Sequence, residues 1–174
     1  MSLKSHSMGH PIAVIDSTLL SRLAELNLAD SLPYIFKQIR IPPEVRREAY
    51  KAPNKKRLRN LLNDLTGFFI DCHETDIVNQ EFLKTIVDAG EAAVIAQAKA
   101  TNSVVITDDK EAHNQALKRE IEVFRTGKIL CLLKDAGVIS LVKPYLDTLM
   151  TLGLSLNLQD RKTILILANE LSNV

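Results

Sequence analysis

The stretch DAGEAAVIAQAKATNSVVITDD, from Asp88 to Asp109, joins an apolar helix to an apolar strand and places acids at both ends. From Glu91 onward, Ile95 and Ala98 fall four and seven residues later. That spacing puts Glu91 on the helix face that packs inward. SVVIT (103–107) is short, β-branched and uninterrupted, which predicts a buried strand. Asp108 and Asp109 follow it directly. Helix then strand, with the strand feeding a further helical pattern in DKEAHNQALKRE (109–120), is the repeating unit of a parallel sheet covered by helices.

The same unit recurs on either side. IAVID (12–16) predicts a buried strand ending in Asp16, and STLLSRLAELNLADSLP (17–33) a helix with Leu19, Leu20, Leu23 and Leu26 on one side. That leucine stripe reads as core or as part of a dimer face. YIFKQIRIPP (34–43) predicts a second strand stopped by its two prolines. Proline suits a first helical turn, so PEVRREAYKA (43–52) reads as a helix, broken at Pro53-Asn54 and resumed in KKRLRNLLNDL (55–65). GFFIDC (67–72) is strand-like, with Cys72-His73-Glu74 read as a strand end. Residues 79–101 form two helices meeting near Asp88, Ala89 and Gly90. IEVFRT (121–126) is a last strand, and KILCLLKDAG, LVKPYLDTLMTLG and LQDRKTILILANELS are closing helices. The expected fold is a three-layer α/β/α sandwich around a mostly parallel sheet, in one domain spanning residues 11–174. Residues 1–10 read as a flexible polar leader, with Met8 as an alternative start.

Bulk properties narrow the classes. The 174 residues suit one domain. Two cysteines, Cys72 and Cys131, lie outside any zinc spacing and read as reduced thiols. The apolar runs fall short of the ~20 residues of a membrane span, and the N-terminus has no apolar signal core. The expectation is a cytoplasmic protein without membrane contact. A net charge of +1 gives no global pull on nucleic acid. Between Glu44 and Asn60, however, lie Arg46, Arg47, Lys51, Lys55, Lys56, Arg57 and Arg59. This local basic stretch is a solvated helix face or a footprint for phosphates.

Right-handed crossovers place all C-terminal strand ends on one sheet edge, where open α/β sheets carry their sites. Asp16, Asp108 and Asp109 are then neighbours, with Glu91 opening a helix beside them and Glu48 on the helix after the second strand. Each has a local reading as well. The aspartates suit N-caps, and DAGE suits a capping box between Asp88 and Glu91. Gathered carboxylates repel and raise one another's pKa. A divalent ion relieves that cost, and hard oxygen donors select Mg²⁺ or Mn²⁺.

The segments VIDSTLLSRLAEL, IRIPPEVRREA, DAGEAAVIAQAKA, SVVITDDKEA and VFRTGKILCLLKDAGVISLVKPYLDTLMTLG, in this order, resemble PIN-domain proteins. They look closest to a prokaryotic branch related to VapC-type toxins. The resemblance runs from Ile12 to the C-terminus and implies a metal-dependent ribonuclease. It implies catalytic roles for Asp16, Glu48, Glu91 and Asp109, with Glu44 an alternative to Glu48. It implies metal ligation by Asp16, Glu91, Asp108 and Asp109, and a place for Ser17 beside the metal's water shell. Thr126-Gly127 matches a family turn. Thr18 stands where the branch often has proline, and Lys110 and His113 occupy a stretch that often carries arginine.

The implied reaction is hydrolysis of single-stranded RNA to 5′-phosphate and 3′-hydroxyl ends. Arg46, Arg47 and Lys110 would hold the flanking backbone, and His113 reads as a solvated or capping residue. The implied partners are RNA, an antitoxin protein and a second copy of the chain. A catalytically inactive PIN-like module that binds RNA or protein is the competing reading. A haloacid-dehalogenase-like phosphohydrolase ranks lower, because Thr18 stands where that chemistry needs a second aspartate.

Overall fold

The computed structural model describes residues 10–51 and 55–171. The expected break at Pro53-Asn54 and the leader before His10 lie outside them. Among the described residues, five strands form one sheet in the order β3-β2-β1-β4-β5. The strands are β1 (Ile12–Ile15), β2 (Gln38–Ile41), β3 (Phe69–Asp71), β4 (Val104–Ile106) and β5 (Val123–Phe124). Every pairing is parallel, so the sheet is more uniform than the mostly parallel one expected. β1 lies at the centre, and Ala13, Val14 and Ile15 are fully buried. This is why the first strand reads as a continuous apolar run rather than an alternating one.

Nine helices surround the sheet among the described residues: α1 (Ser17–Glu25), α2 (Pro43–Ala49), α3 (Lys55–Asp64), α4 (Ile77–Leu83), α5 (Ala89–Thr101), α6 (Lys110–Leu117), α7 (Thr126–Asp135), α8 (Lys143–Thr151) and α9 (Leu158–Leu167). α5 is buried along most of its length, with Ala92 to Ala98 all enclosed. Small side chains let it lie close between the sheet and α2, α4 and α6. Leu19, Leu20 and Leu23 of α1 are wholly buried, so the leucine stripe is core.

The expected helix over 17–33 is shorter than its pattern. α1 ends at Glu25, because Asn27 takes a left-handed conformation (φ 56°), which an α-helix cannot continue. A 3₁₀ turn over Ala29–Tyr34 then carries Leu32 into the core from a new direction. The second strand starts only at Gln38 for the same reason: this turn uses the residues before it. α4 begins at Ile77, earlier than the helical pattern suggested, with the Asp76 side chain capping it. No described helix is long and apolar enough to cross a membrane.

Candidate active site at the switch point of the sheet

The chain runs outward from β1 to β2 and β3, then crosses back to β4 on the other side of β1. The reversal opens a crevice at the C-terminal ends of β1 and β4, the position where open parallel sheets bind ligands. The Asp16 N–H donates to the Ile106 carbonyl (3.0 Å) and pins the two strand ends together. Asp16 therefore sits on one lip of the crevice, and Asp108 and Asp109 on the other.

A cavity of about 250 Å³ opens there, lined by Asp16, Ser17, Glu48, Asp88, Glu91, Asp108 and Asp109 among others. The acids come from α1, α2, α5 and α6 or the residues just before them. Five of the positions singled out in the sequence as catalytic or metal-binding (Asp16, Glu48, Glu91, Asp108 and Asp109) thus face one space, and Ser17 joins them. Glu44 lies instead on a separate small cavity near Cys72, His73 and Gln97, where Gln80 Nε2 donates to it (3.4 Å). Glu48 is the α2 acid that reaches the crevice.

The local and convergent readings of these acids both hold. Asp16 Oδ1 accepts from the Leu19 N–H (2.7 Å) and caps α1. Asp109 Oδ1 accepts from the Ala112 N–H (2.7 Å) and caps α6. Asp88 and Glu91 form a capping box on α5, each accepting from the other's backbone N–H (2.8 and 3.3 Å). A cap uses one oxygen of a carboxylate, and a carboxylate offers two. Capping here fixes where each acid stands without consuming it.

Glu48 and Asp108 are held by side chains. The Ser17 hydroxyl donates to Glu48 Oε2 (2.6 Å). Gly90 lets this carboxylate lie against α5, because a Cβ at Gly90 would fall 2.7 Å from both of its oxygens. Asp108 accepts from the backbone N–H of Thr126 (2.9 Å) and also from its hydroxyl. The Thr126-Gly127 turn therefore orients Asp108, and Gly127 gives Ile164 of α9 its space. Both Asp108 oxygens are engaged, which leaves Asp109 the less committed of the pair.

Charge is the dominant property of this cavity. Burial, then the nearby Asp108 charge among the raising influences, pushes Asp16 up to about 6 against lowering by the Leu19 N–H and the Thr107 hydroxyl. Burial and the charges of Asp88, Asp109 and Asp16 push Glu91 up to about 7. Arg22, unremarked in the sequence reading, is the cation lining the cavity among the described residues. Its Nη1 lies 3.8 Å from Asp108 Oδ2, and its Nη2 donates to the Gly153 carbonyl (2.9 Å). Its only sequence signal was a charge one turn after Thr18. Gly153 and Ser155 reach the cavity from the α8–α9 connection, which no pattern near the acids announces.

The expected backbone-binding residues are not in this cavity. Arg46 is paired with Asp71 and hydrogen-bonded to the Tyr50 hydroxyl (3.0 Å). Arg47 is exposed and lies 3.8 Å from Glu44. Lys110 is exposed at the start of α6. His113 is also outside, its pKa lowered by burial and by Arg125.

A donor set of carboxylate and hydroxyl oxygens suits a hard divalent ion, and burial, then the neighbouring acids, makes the charged forms of Asp16 and Glu91 costly. In their present rotamers, no three His, Cys, Asp or Glu side chains among the described residues are arranged around one point.

No curated protein matches the chain in sequence. VapBC2 from Rickettsia felis, solved bound to a DNA fragment from its promoter, is 12% identical over 66% of this chain and 98% of its own, with a TM-score of 0.49. FitAcB from Neisseria gonorrhoeae is 16% identical over 65% of this chain and 96% of its own, with a TM-score of 0.42. Neither likeness is close enough to transfer a residue's role. A family model described as a PIN domain matches residues 12–170. The chain belongs to the PIN-domain family, whose members are generally nucleases that typically use divalent metals.

Proposed function

We propose that this protein is a divalent-metal-dependent endoribonuclease acting on single-stranded RNA, and the toxin half of a toxin–antitoxin pair. The observation that carries the reading is the gathering of Asp16, Glu48, Glu91 and Asp109 around one cavity at the switch point of the sheet. Four carboxylates from four parts of the chain have no structural need to share a space, and their crowding costs free energy.

Asp16, Glu91 and Asp109 would hold the ion, with Glu48 beside them and Asp108 in a supporting place. A divalent ion bound there would ease deprotonation of the attacking water and neutralise charge on the scissile phosphate. The protein's own part is positional. The caps of α1 and α6 set the two aspartates on opposite lips of the crevice. Ser17 orients Glu48, and Thr126 orients Asp108. Glu91, raised to about 7 by burial and the neighbouring acids, would give up its proton on holding the ion. Mg²⁺ or Mn²⁺ fits the donors.

The test is cleavage of a labelled single-stranded RNA by purified protein with Mn²⁺, compared with Asp16→Asn and Asp109→Asn. The expected result is cleavage by the parent alone, lost on chelation. Equal cleavage by parent and Asp16→Asn would remove Asp16 from the chemistry.

A second reading is a PIN module that binds RNA or a protein partner without cutting. It draws on the capping bonds, which give the acids a structural role of their own. Calorimetry separates the two: RNA binding with no Mn²⁺ binding would favour this reading.

A further inference from the structure

A second open cavity of about 380 Å³ adjoins the acidic one and shares Ser17, Thr18, Arg22 and Glu48 with it. Its character is different. Lys51 and Ser21 face it, together with the shared hydroxyls and the Arg22 guanidinium. Two cations and three hydroxyls are the groups that contact nucleic-acid phosphates. Glu25 and Glu48 are the opposing charges. Glu48 already accepts from the Ser17 hydroxyl (2.6 Å), and Glu25 stands at the end of α1, one turn past Arg22.

Arg22 stands on the wall between the two spaces. It is largely covered, with 18% of its side chain exposed. Its contacts with Gly153 and Asp108 occupy one nitrogen each, while a guanidinium carries five N–H donors in a fork that matches phosphate oxygens. Lys51 is exposed on the opposite side, one turn past Glu48, where its backbone N–H donates to the Glu48 carbonyl (2.9 Å). The shared residues make the two cavities continuous, so a strand lying among the acids has these cations beside its path.

We propose that the cavity between α1 and the end of α2 is a subsite for the phosphodiester flanking the cleavage point, with Arg22 and Lys51 as its phosphate contacts. This rests on the ribonuclease reading and gives that site a direction along the strand. It also moves the backbone contacts from Arg46, Arg47 and Lys110 to residues that border the acids.

The test is fluorescence anisotropy of a labelled single-stranded RNA across a salt series with Mg²⁺. Asp16→Asn serves as parent, so that the strand stays intact. Arg22→Gln and Lys51→Gln are added to it singly, with Lys118→Gln, exposed at the far end of α6, as control. The first two are expected to weaken binding about tenfold and several-fold respectively. Each should reduce the log–log salt slope by about 0.7, the value for one phosphate contact on a single strand. The control should match the parent. Unchanged affinity and slope in both cavity variants would overturn the subsite and leave the ribonuclease reading intact. Equal losses in all three variants would overturn it in favour of diffuse attraction. No RNA binding by the parent would overturn both. Lys51 is exposed, so its variant reports even if Arg22→Gln folds poorly.

Discussion

Asp16 is the residue whose replacement best separates stability from function. Its carboxyl caps α1 and is buried among other acids, and its pKa rises from 3.8 to about 6. A rise of that size corresponds to about 3 kcal/mol favouring the neutral form in the folded protein. The folded pKa lies above the unfolded one, so charging Asp16 opposes folding. The cost is absent below the unfolded value, grows as pH rises through about 6, and is complete above it. Asn caps helices as well as Asp does, so Asp16→Asn keeps the bond to the Leu19 N–H and removes the charge. The bond weakens when its acceptor becomes neutral, by about 1 kcal/mol. The expected net effect at pH 8 without divalent ions is a gain of about 1–3 kcal/mol. At about 2–4 °C per kcal/mol for a chain of this size, that is a rise in Tm of several degrees. Urea unfolding of parent and variant at pH 4 and pH 8 measures it. The gain should be present at pH 8 and gone at pH 4, where the parent's Asp16 is protonated when folded. A variant less stable than the parent at pH 8, or equally stabilised at both values, would refute the claim that burying the Asp16 charge in the crevice opposes folding.

Other outcomes follow from the same geometry. Mn²⁺ at about 100 times its Kd should stabilise the parent by about 2.7 kcal/mol and leave Asp109→Asn unmoved, measured as a shift in Tm. Gly90→Ala places a methyl against both Glu48 oxygens and should displace that carboxylate from Ser17. Activity against RNA should fall at least tenfold, while Tm changes by only a few degrees because Ala also favours the helix. Glu170→Gln should cost about 2–3 kcal/mol in urea unfolding, since the covered Glu170 carboxylate accepts from the Val142 and Lys143 N–H groups and pairs with Lys134 (2.9 Å). Burial opposes the Glu170 charge, but those N–H groups and Lys134 outweigh it and hold its pKa below the usual value. Its contribution is therefore present near neutral pH and fades as acid protonates it, which the same unfolding series at falling pH would show.

Several features of this protein were legible in one dimension because they depend on near neighbours in the chain. A buried strand needs an unbroken apolar run, so IAVI and SVVIT announce themselves. Parallel strands with helical crossovers must end on one edge, so the acids after those strands could be brought together before any coordinates. Helical spacing placed Glu91 inward. The end of α1 was not legible, because Asn27 in a left-handed conformation is a choice that leucine periodicity does not record. The choice between Glu44 and Glu48 was also open, since both lie on one face of α2, one turn apart. Which of them meets the crevice depends on the close approach of α5 at Gly90.

The sequence by itself determined the alternation of elements, the parallel sheet and the acids at its strand ends, since each rests on local propensity and chain connectivity. Only the tertiary structure decided that the acids cap their helices while facing a common cavity, that Thr126 holds Asp108, and that Arg22 borders both the acidic space and the open one beside it. Those facts depend on side chains far apart in sequence meeting across the switch point, and their positions follow from packing rather than from any spacing along the chain.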